Sequence, residues 1–287
     1  MSSTEPDVRT RIARLFVYPV KSCAGIELSE ALLTETGFDL DRAWMVVDEQ
    51  GEFVTQRELP RLALVKPQLK HTEVILRAPG MLALHLAIEQ VEKPARVRVW
   101  DDEVDAWDMG DVAAQWFSDF LGRKLRVARF DPEVKRVASP QWTGGVEALN
   151  QFSDGFPLLV TSEGSLAELN RRLLQAGHAV VGVERFRPNI VLAGLEAHDE
   201  DRVGVIRIAA EGEVQLKLVK PCVRCTIPDV DPATAEQGSS VNEVLRAYRS
   251  NERMNGGLTF AMNAIILEGI DETLRVGQDV TANWVFE

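Results

Sequence analysis

Strand-like patterning dominates this chain. Arg96-Val97-Arg98-Val99-Trp100 alternates polar and apolar positions with a period of two, as a half-buried strand does. Arg11 to Val20 is a β-branched and aromatic run that stops at Pro19-Val20. Trp44-Met45-Val46-Val47 and Glu52-Phe53-Val54 flank Asp48-Glu49-Gln50-Gly51, which predicts a hairpin about a glycine-bearing turn. A second hairpin is predicted from Glu73–Leu76 to Met81–Ile88, turning at Pro79-Gly80. Further strands are expected at Leu125–Phe130, Asn189–Leu192, Val203–Ala209, Val214–Val219, Phe260–Leu267 and Val280–Phe286.

Three stretches carry a helical period instead. Asp111 is placed to cap a helix whose apolar face is Val112, Trp116, Phe117 and Phe120, with Gly122 as its stop. Ser165 and Glu168 form a capping-box pattern before Leu166, Leu169, Leu173 and Leu174, and Gly177 ends that helix. Ser240 and Glu243 open a third, running through Val244, Leu245 and Tyr248. Many strands with few helices do not make a regular βαβ alternation, so a doubly wound sheet is excluded in favour of an α+β fold around a barrel. The boundary is expected near residue 130, dividing the chain into 8–130 and 131–287.

Composition narrows function. A chain of 287 residues, 45% hydrophobic and 26% charged, is long enough for two modest soluble domains or one large one with a substantial core. Its net charge of −12 repels polyanions, so neither nucleic acid nor an anionic membrane surface is an expected partner. A local positive pocket for one small anion remains compatible with that field. Met1–Thr10 is polar and carries Glu5 and Asp7, unlike a secretory signal or an Arg-rich transit peptide. No apolar run approaches the ~20 residues that span a bilayer. Only Cys23, Cys222 and Cys225 occur, which speaks against a disulfide framework and for a reducing cytoplasm.

The chemically densest stretch is Lys220-Pro221-Cys222-Val223-Arg224-Cys225-Thr226-Ile227-Pro228-Asp229-Val230-Asp231-Pro232. Structural zinc would need four Cys or His ligands, and Cys23, His71, His85, His178 and His198 are isolated. A thioredoxin-like pair would open a helix, which Pro228 and Pro232 oppose. A single metal-ligating thiolate fits a loop after a strand through Val214, Leu216 and Leu218, whose pairing Pro221 would end. Lys220 and Arg224 would favour its ionised form. Finally, both cysteines read as small buried hydrophobes, and spacing alone favours that reading.

The segment Cys222-Val223-Arg224-Cys225 with Val230-Asp231-Pro232 resembles the signature of MOSC domains, found at the C-terminus of molybdenum cofactor sulfurases, and above all the amidoxime-reducing branch of that family. Other fragments follow in family order: Tyr18-Pro19-Val20-Lys21-Ser22-Cys23, Asp41-Arg42-Ala43-Trp44, Thr55-Gln56-Arg57, Ser153-Asp154, Phe186-Arg187-Pro188-Asn189 and Val276-Gly277-Gln278-Asp279. The resemblance implies a strand-rich MOSC β-barrel domain with a smaller mixed α/β N-terminal domain. It implies Cys225 as molybdenum ligand and catalytic centre, with Cys222 beside it and not a ligand. It assigns the molybdenum cofactor (Mo-molybdopterin) to Lys21, Ser22, Arg42 and Arg187, with Asp154 and Asn189 as further contacts. Read without it, Lys21-Ser22 is a solvated turn, Arg42 and Arg187 are surface ion pairs with Asp41 and Glu184, and Ser153-Asp154-Gly155 is a turn. Asp231 is expected to shape the cysteine loop, Cys23 to be buried, and the Trp142 loop to cover the metal. The segment departs from the family pattern at Thr226–Asp229, where Pro228 brings neither hydroxyl nor N–H.

The activity implied is removal of oxygen from a small N-oxygenated substrate, an N-hydroxylated amine, amidoxime or N-oxide, at a metal moving between +4 and +6. A separate electron-donor protein carrying flavin, haem or iron–sulfur is implied, because three cysteines cannot hold a cluster; no role for pyridoxal phosphate is implied. Two other classes remain open: a cofactor carrier or sulfur-transfer protein, and a metal-free binding domain.

Overall fold

The structure, a computed structural model, describes residues 5–285. Seven strands form its frame: β1 (Val8–Val17), β2 (Leu158–Ser162), β3 (Ile190–Ala193), β4 (Val203–Ala209), β5 (Glu213–Val223), β6 (Gly257–Glu268) and β7 (Asp279–Trp284). They pair in the order β2-β3-β1-β7-β4-β5-β6, and β6 pairs back onto β2 through Leu158↔Ala264 and Val160↔Met262, closing a barrel. Closure removes the free edges that an open sheet would expose. The alternation in β5 explains the packing: Val214, Leu216 and Leu218 point into the barrel core, where they meet Ile12, Leu15, Ile190, Ile206 and Val280. The strand anticipated to reach Phe286 ends at Trp284, and Phe286 lies outside the described residues.

β5 corrects one expectation. The strand runs through Pro221, opposite Met262, and the ladder absorbs the missing N–H with register shifts on either side of it. Cys222 is therefore a strand residue, and only Cys225 stands in the loop.

The second core is built by the chain between β1 and β2. A four-stranded antiparallel sheet (Trp44–Val47, Arg126–Phe130, Asp102–Asp108, Lys93–Val99) and a three-stranded one (Lys66–Leu69, Glu73–Arg77, Leu84–Ala87) accompany helix α1 (Asp111–Leu121). Both anticipated hairpins are present. Helix α1 buries Trp116, Phe117 and Phe120 against Trp44, Val46 and Leu76. Val112 does not join that face; it is 76% exposed. Gly110 at φ 89° is the N-cap, leaving Asp111 to pair with Arg126, and Gly122 ends the helix in the left-handed conformation.

The other helices start at different caps from those anticipated. Helix α2 (Glu163–Gln175) begins before Ser165: Ser162 caps it by accepting from Ser165 N at 3.1 Å. Ser165 Oγ instead donates to the fully buried Glu200 at 2.6 Å. Helix α3 (Ser240–Arg246) stops short of Tyr248 and is capped from a distance. Asp229 Oδ1 accepts from Val241 N and Asn242 N at 2.9 and 3.1 Å, tying the cysteine loop to this helix. Asp231 holds the same loop, as expected, through Ala233 N at 2.8 Å and Arg185 Nη2 at 2.9 Å. Among the described residues no helix is long and apolar enough to cross a membrane.

β1 crosses the division proposed near residue 130, pairing with β3 and β7 of the later half. The chain leaves the barrel at Tyr18, touches it again where Ile26–Leu28 pairs with Leu15–Val17 and where Ala31, Leu33 and Phe38 enter its core, and rejoins it at Leu158; the first and last of these crossings lie at the junction of the two cores.

One half-buried imidazole is expected to make stability depend on pH. Burial, with Arg249 adding repulsion, pushes His198 down to about 4 from its usual value near 6.5. Both ring nitrogens are buried without a partner. Across that window the unfolded chain binds the extra proton, so stability is present above it and lost as pH falls through it. Denaturant titrations are expected to lose roughly 1–3 kcal/mol between pH ~6.5 and ~4, with a shallower loss in His198→Gln. An unchanged slope in that variant would remove His198 from the account.

Candidate functional site

The junction forces unusual backbone. Ser22, Arg42 and Arg187 adopt φ of 66°, 51° and 57°, the left-handed region that side-chain-bearing residues avoid, and Trp100 joins them at 57°. Each such residue costs on the order of 1 kcal/mol and persists only where its surroundings dictate it. Here they do. Arg42 N donates to Tyr18 O, Lys21 N to Trp44 O at 2.7 Å, and Gln56 Nε2 to Ser22 O at 2.6 Å.

These turns open onto one cleft of about 110 Å³ between the two cores. Lys21, Ser22, Arg42, Asp154, Arg187, Asn189 and Cys225 all line it. Its cations outnumber its carboxylates: Lys21, Arg42, Arg57, Arg187 and Arg224 against Asp154 alone. A chain of net charge −12 has gathered positive charge at one place.

Lys21 Nζ donates to Phe152 O at 2.7 Å and Asp154 Oδ1 at 2.5 Å. Burial pulls its pKa down despite that partner. Desolvation opposes ionisation of Asp154, yet Lys21 and the Trp100 indole N–H outweigh it and hold the carboxyl below the usual range. Its side chain is 71% exposed, so solvent screens the pair. Arg42 does pair with Asp41, but not at the surface: the two side chains are 12% and 2% exposed. Asn189, fully buried, accepts from Arg42 Nη1 at 3.2 Å and Leu159 N at 3.1 Å, so it positions Arg42 and has little left for a ligand.

Arg187 is the least satisfied of the set. It makes no ion pair with Glu184; Nη1 donates to Cys23 O at 2.5 Å, while Nη2 is buried without a partner. Burial and the neighbouring Arg42 push its pKa down to about 10. Both guanidinium groups lie over the Tyr18 ring, 4.4 and 4.3 Å from its centroid.

The three cysteines occupy distinct environments. Cys23 is sealed in the core, its thiol pushed up to about 12 by burial. Cys222 packs against the apolar cluster of Leu169, Phe186 and Phe260, with Arg224 Nη1 2.9 Å from its Sγ. Cys225 is exposed at the cleft, its carbonyl held by Asn242 Nδ2 at 2.9 Å. No α-helix follows it, only the 3₁₀ turn Ile227–Asp229, which is not the context of a thioredoxin-like pair.

Three features were not foreseen. Lys220, expected beside the thiol, points to the Trp142 and Phe156 rings. Trp142, expected to cover the site, sits on a single helical turn (Pro140–Thr143) and does not line the cleft. Trp100 does, stacking on Arg57 at 4.6 Å and donating its indole N–H to Asp154 Oδ1 at 3.1 Å. Pro228 is buried in its turn and stays out of the cleft, where Ile227 takes that side.

Among the described residues no three His, Cys, Asp or Glu side chains could together hold a metal ion. A metal at Cys225 must therefore bring most of its own ligands, as an anionic dithiolene cofactor does. Unpartnered Arg187 Nη2 suits such a group.

Comparison with known proteins gives two consecutive matches: residues 9–124 to the MOSC N-terminal beta barrel domain, and residues 148–281 to the MOSC domain. The chain belongs to the MOSC family. This MOSC chain is 35% identical over 283 residues to mitochondrial amidoxime-reducing component 1 of Mus musculus, covering 94% of itself and 81% of that relative. It is 34% identical to mitochondrial amidoxime reducing component 2 of Rattus norvegicus, covering 83% and 72%. Molybdenum cofactor sulfurase of Homo sapiens is 28% identical over 94% of the MOSC chain but 32% of its own length.

Proposed function

We propose that this chain is a molybdenum-cofactor-dependent oxidoreductase that removes oxygen from N-hydroxylated compounds, with Cys225 as its ligand to the metal. Relatives named amidoxime-reducing components support the reaction class. One observation carries the reading: residues from both cores converge on a basic cleft with unpartnered buried donors and an exposed cysteine.

When bound, the cofactor supplies a dithiolene-held molybdenum that exchanges electrons in pairs. The chain's own side chains hold and orient it. Lys21, Arg42 and Arg187 attract its anionic groups, Arg by bidentate hydrogen bonding and Lys as a point charge. Ser22 lies beside Lys21 in the same turn. Asp154 anchors Lys21 and offers an acceptor to pterin N–H groups, and Asn189 fixes Arg42. Phe156, Leu159 and Phe186 give the cleft an apolar wall that limits water.

In reducing an N-hydroxylated compound, two electrons and two protons break the N–O bond: one proton ends on nitrogen as a new N–H and the other joins the departing hydroxyl, which leaves as water. The electrons come from a separate flavin, haem or iron–sulfur protein. A cytoplasmic location is part of the same proposal, from three free cysteines.

A second reading is favoured by the sulfurase similarity: a cofactor carrier or sulfur-transfer protein without turnover of its own. Cofactor-loaded protein, given reduced viologen and benzamidoxime, is expected to form benzamidine. Loaded protein that retains molybdenum yet forms none would establish the carrier instead.

A further inference from the structure

Cys225 also borders a second, more open cavity. Arg57, Arg224 and Cys225 line both cavities, and beyond them the outer one adds Arg246, Asn242 and Ser250. Among the described residues no carboxylate lines it. Most other arginines of this acidic chain reach a carboxylate, from Arg14 with Glu27 to Arg275 with Glu30. These three do not. Arg57 donates only to Thr55 Oγ1 and stacks on Trp100. Arg224 donates to Phe186 O and reaches Cys222 Sγ, leaving Nε buried without a partner. Arg246, the last residue of α3, stands exposed at the rim. Asn242 Oδ1 is a further buried polar atom without a partner.

Three cations that decline the many available carboxylates, gathered at the mouth of the proposed reactive cysteine, form a ready site for one anionic group. We infer that this vestibule selects N-oxygenated substrates bearing a carboxylate or phosphonate, held by Arg57, Arg224 and Arg246. The inference rests on the reductase reading for its substrate, but the vestibule's charge preference has a test of its own.

That test uses cofactor-free protein. Cys225 alkylation by iodoacetate and by iodoacetamide is followed by peptide mass spectrometry, each rate divided by that of a cysteine peptide. The normalised rate for the anion is expected to exceed that for the amide by about tenfold. Arg246→Gln should cut the excess roughly threefold and high salt should erase it. With loaded protein, 4-carboxybenzamidoxime and 4-phosphonobenzamidoxime are expected to exceed benzamidoxime about tenfold in kcat/KM, through KM. In Arg246→Gln that advantage falls roughly threefold while benzamidoxime itself is unaltered. Preference for one of the two anions identifies the oxyanion chemistry.

Equal alkylation rates for the two reagents overturn the inference. So does a fall in cofactor content in Arg246→Gln, which would assign the vestibule to the cofactor, or a change only in the electron donor's KM, which would assign it to a protein partner. If alkylation shows the preference but no amidoxime is reduced, the reductase reading fails and the anion site stands.

Discussion

Cys225→Ala is expected to lower benzamidoxime reduction by ~100-fold or more, whereas Cys222→Ala keeps most of it. The two thiols are three positions apart, yet their surroundings differ. Cys222 belongs to the last turn of the β5 ladder and packs on Phe186 and Phe260. Its loss removes a small apolar contact and an acceptor for Arg224, worth about 1 kcal/mol of stability. Cys225 is exposed, so its removal should leave folding stability within ~0.5 kcal/mol of wild type. A large loss of turnover with an unchanged unfolding transition therefore isolates the chemistry. Comparable losses from both variants would mean that neither thiol has the singular role assigned to Cys225.

Arg187→Gln is expected to weaken cofactor retention by ~30- to 1,000-fold, the penalty of about 2–4 kcal/mol for removing one partner of a buried charged pair. Its effect on the cofactor-free fold should run the other way. In the bare protein this guanidinium is desolvated, has no carboxylate, lies near Arg42 and is held at positive φ. Such a group costs folding free energy on the order of 1–3 kcal/mol. Removing it should leave the apo melting temperature unchanged or higher, while glutamine, still at positive φ, recovers only the electrostatic part. A site that weakens the empty fold and strengthens the loaded one is the mark of residues kept for a ligand. A lower apo melting temperature with full cofactor content would make Arg187 an ordinary structural arginine.

Local patterning carried the elements further than their assembly. The alternation Val214-Leu216-Leu218 and the helix Asp111–Leu121 are visible in single windows, because side-chain period follows directly from backbone geometry. Caps were less legible. Asp229 sits eleven residues before α3, and no local rule reaches that far. Barrel closure between β2 and β6, and the entry of β1 into the later half, depend on pairings about a hundred residues or more apart.

The cleft was legible only through motifs. Lys21, Arg42 and Arg187 look like surface charges when each is read alone; it is the fold that buries them around one space. Trp100 and Arg57 gave no such sign. Trp100 ends a strand in sequence, yet at a positive φ it meets Asp154, 54 residues further along the chain. Arg57 fell within a family fragment without a role, and its stacking on Trp100 is what brings it to both cavities.

The most direct test is X-ray absorption at the molybdenum edge on cofactor-loaded wild type and Cys225→Ser. One protein sulfur bonded to the metal predicts a shell with one more sulfur neighbour in wild type than in the variant. The same sulfur count in both would mean that Cys225 does not bind molybdenum.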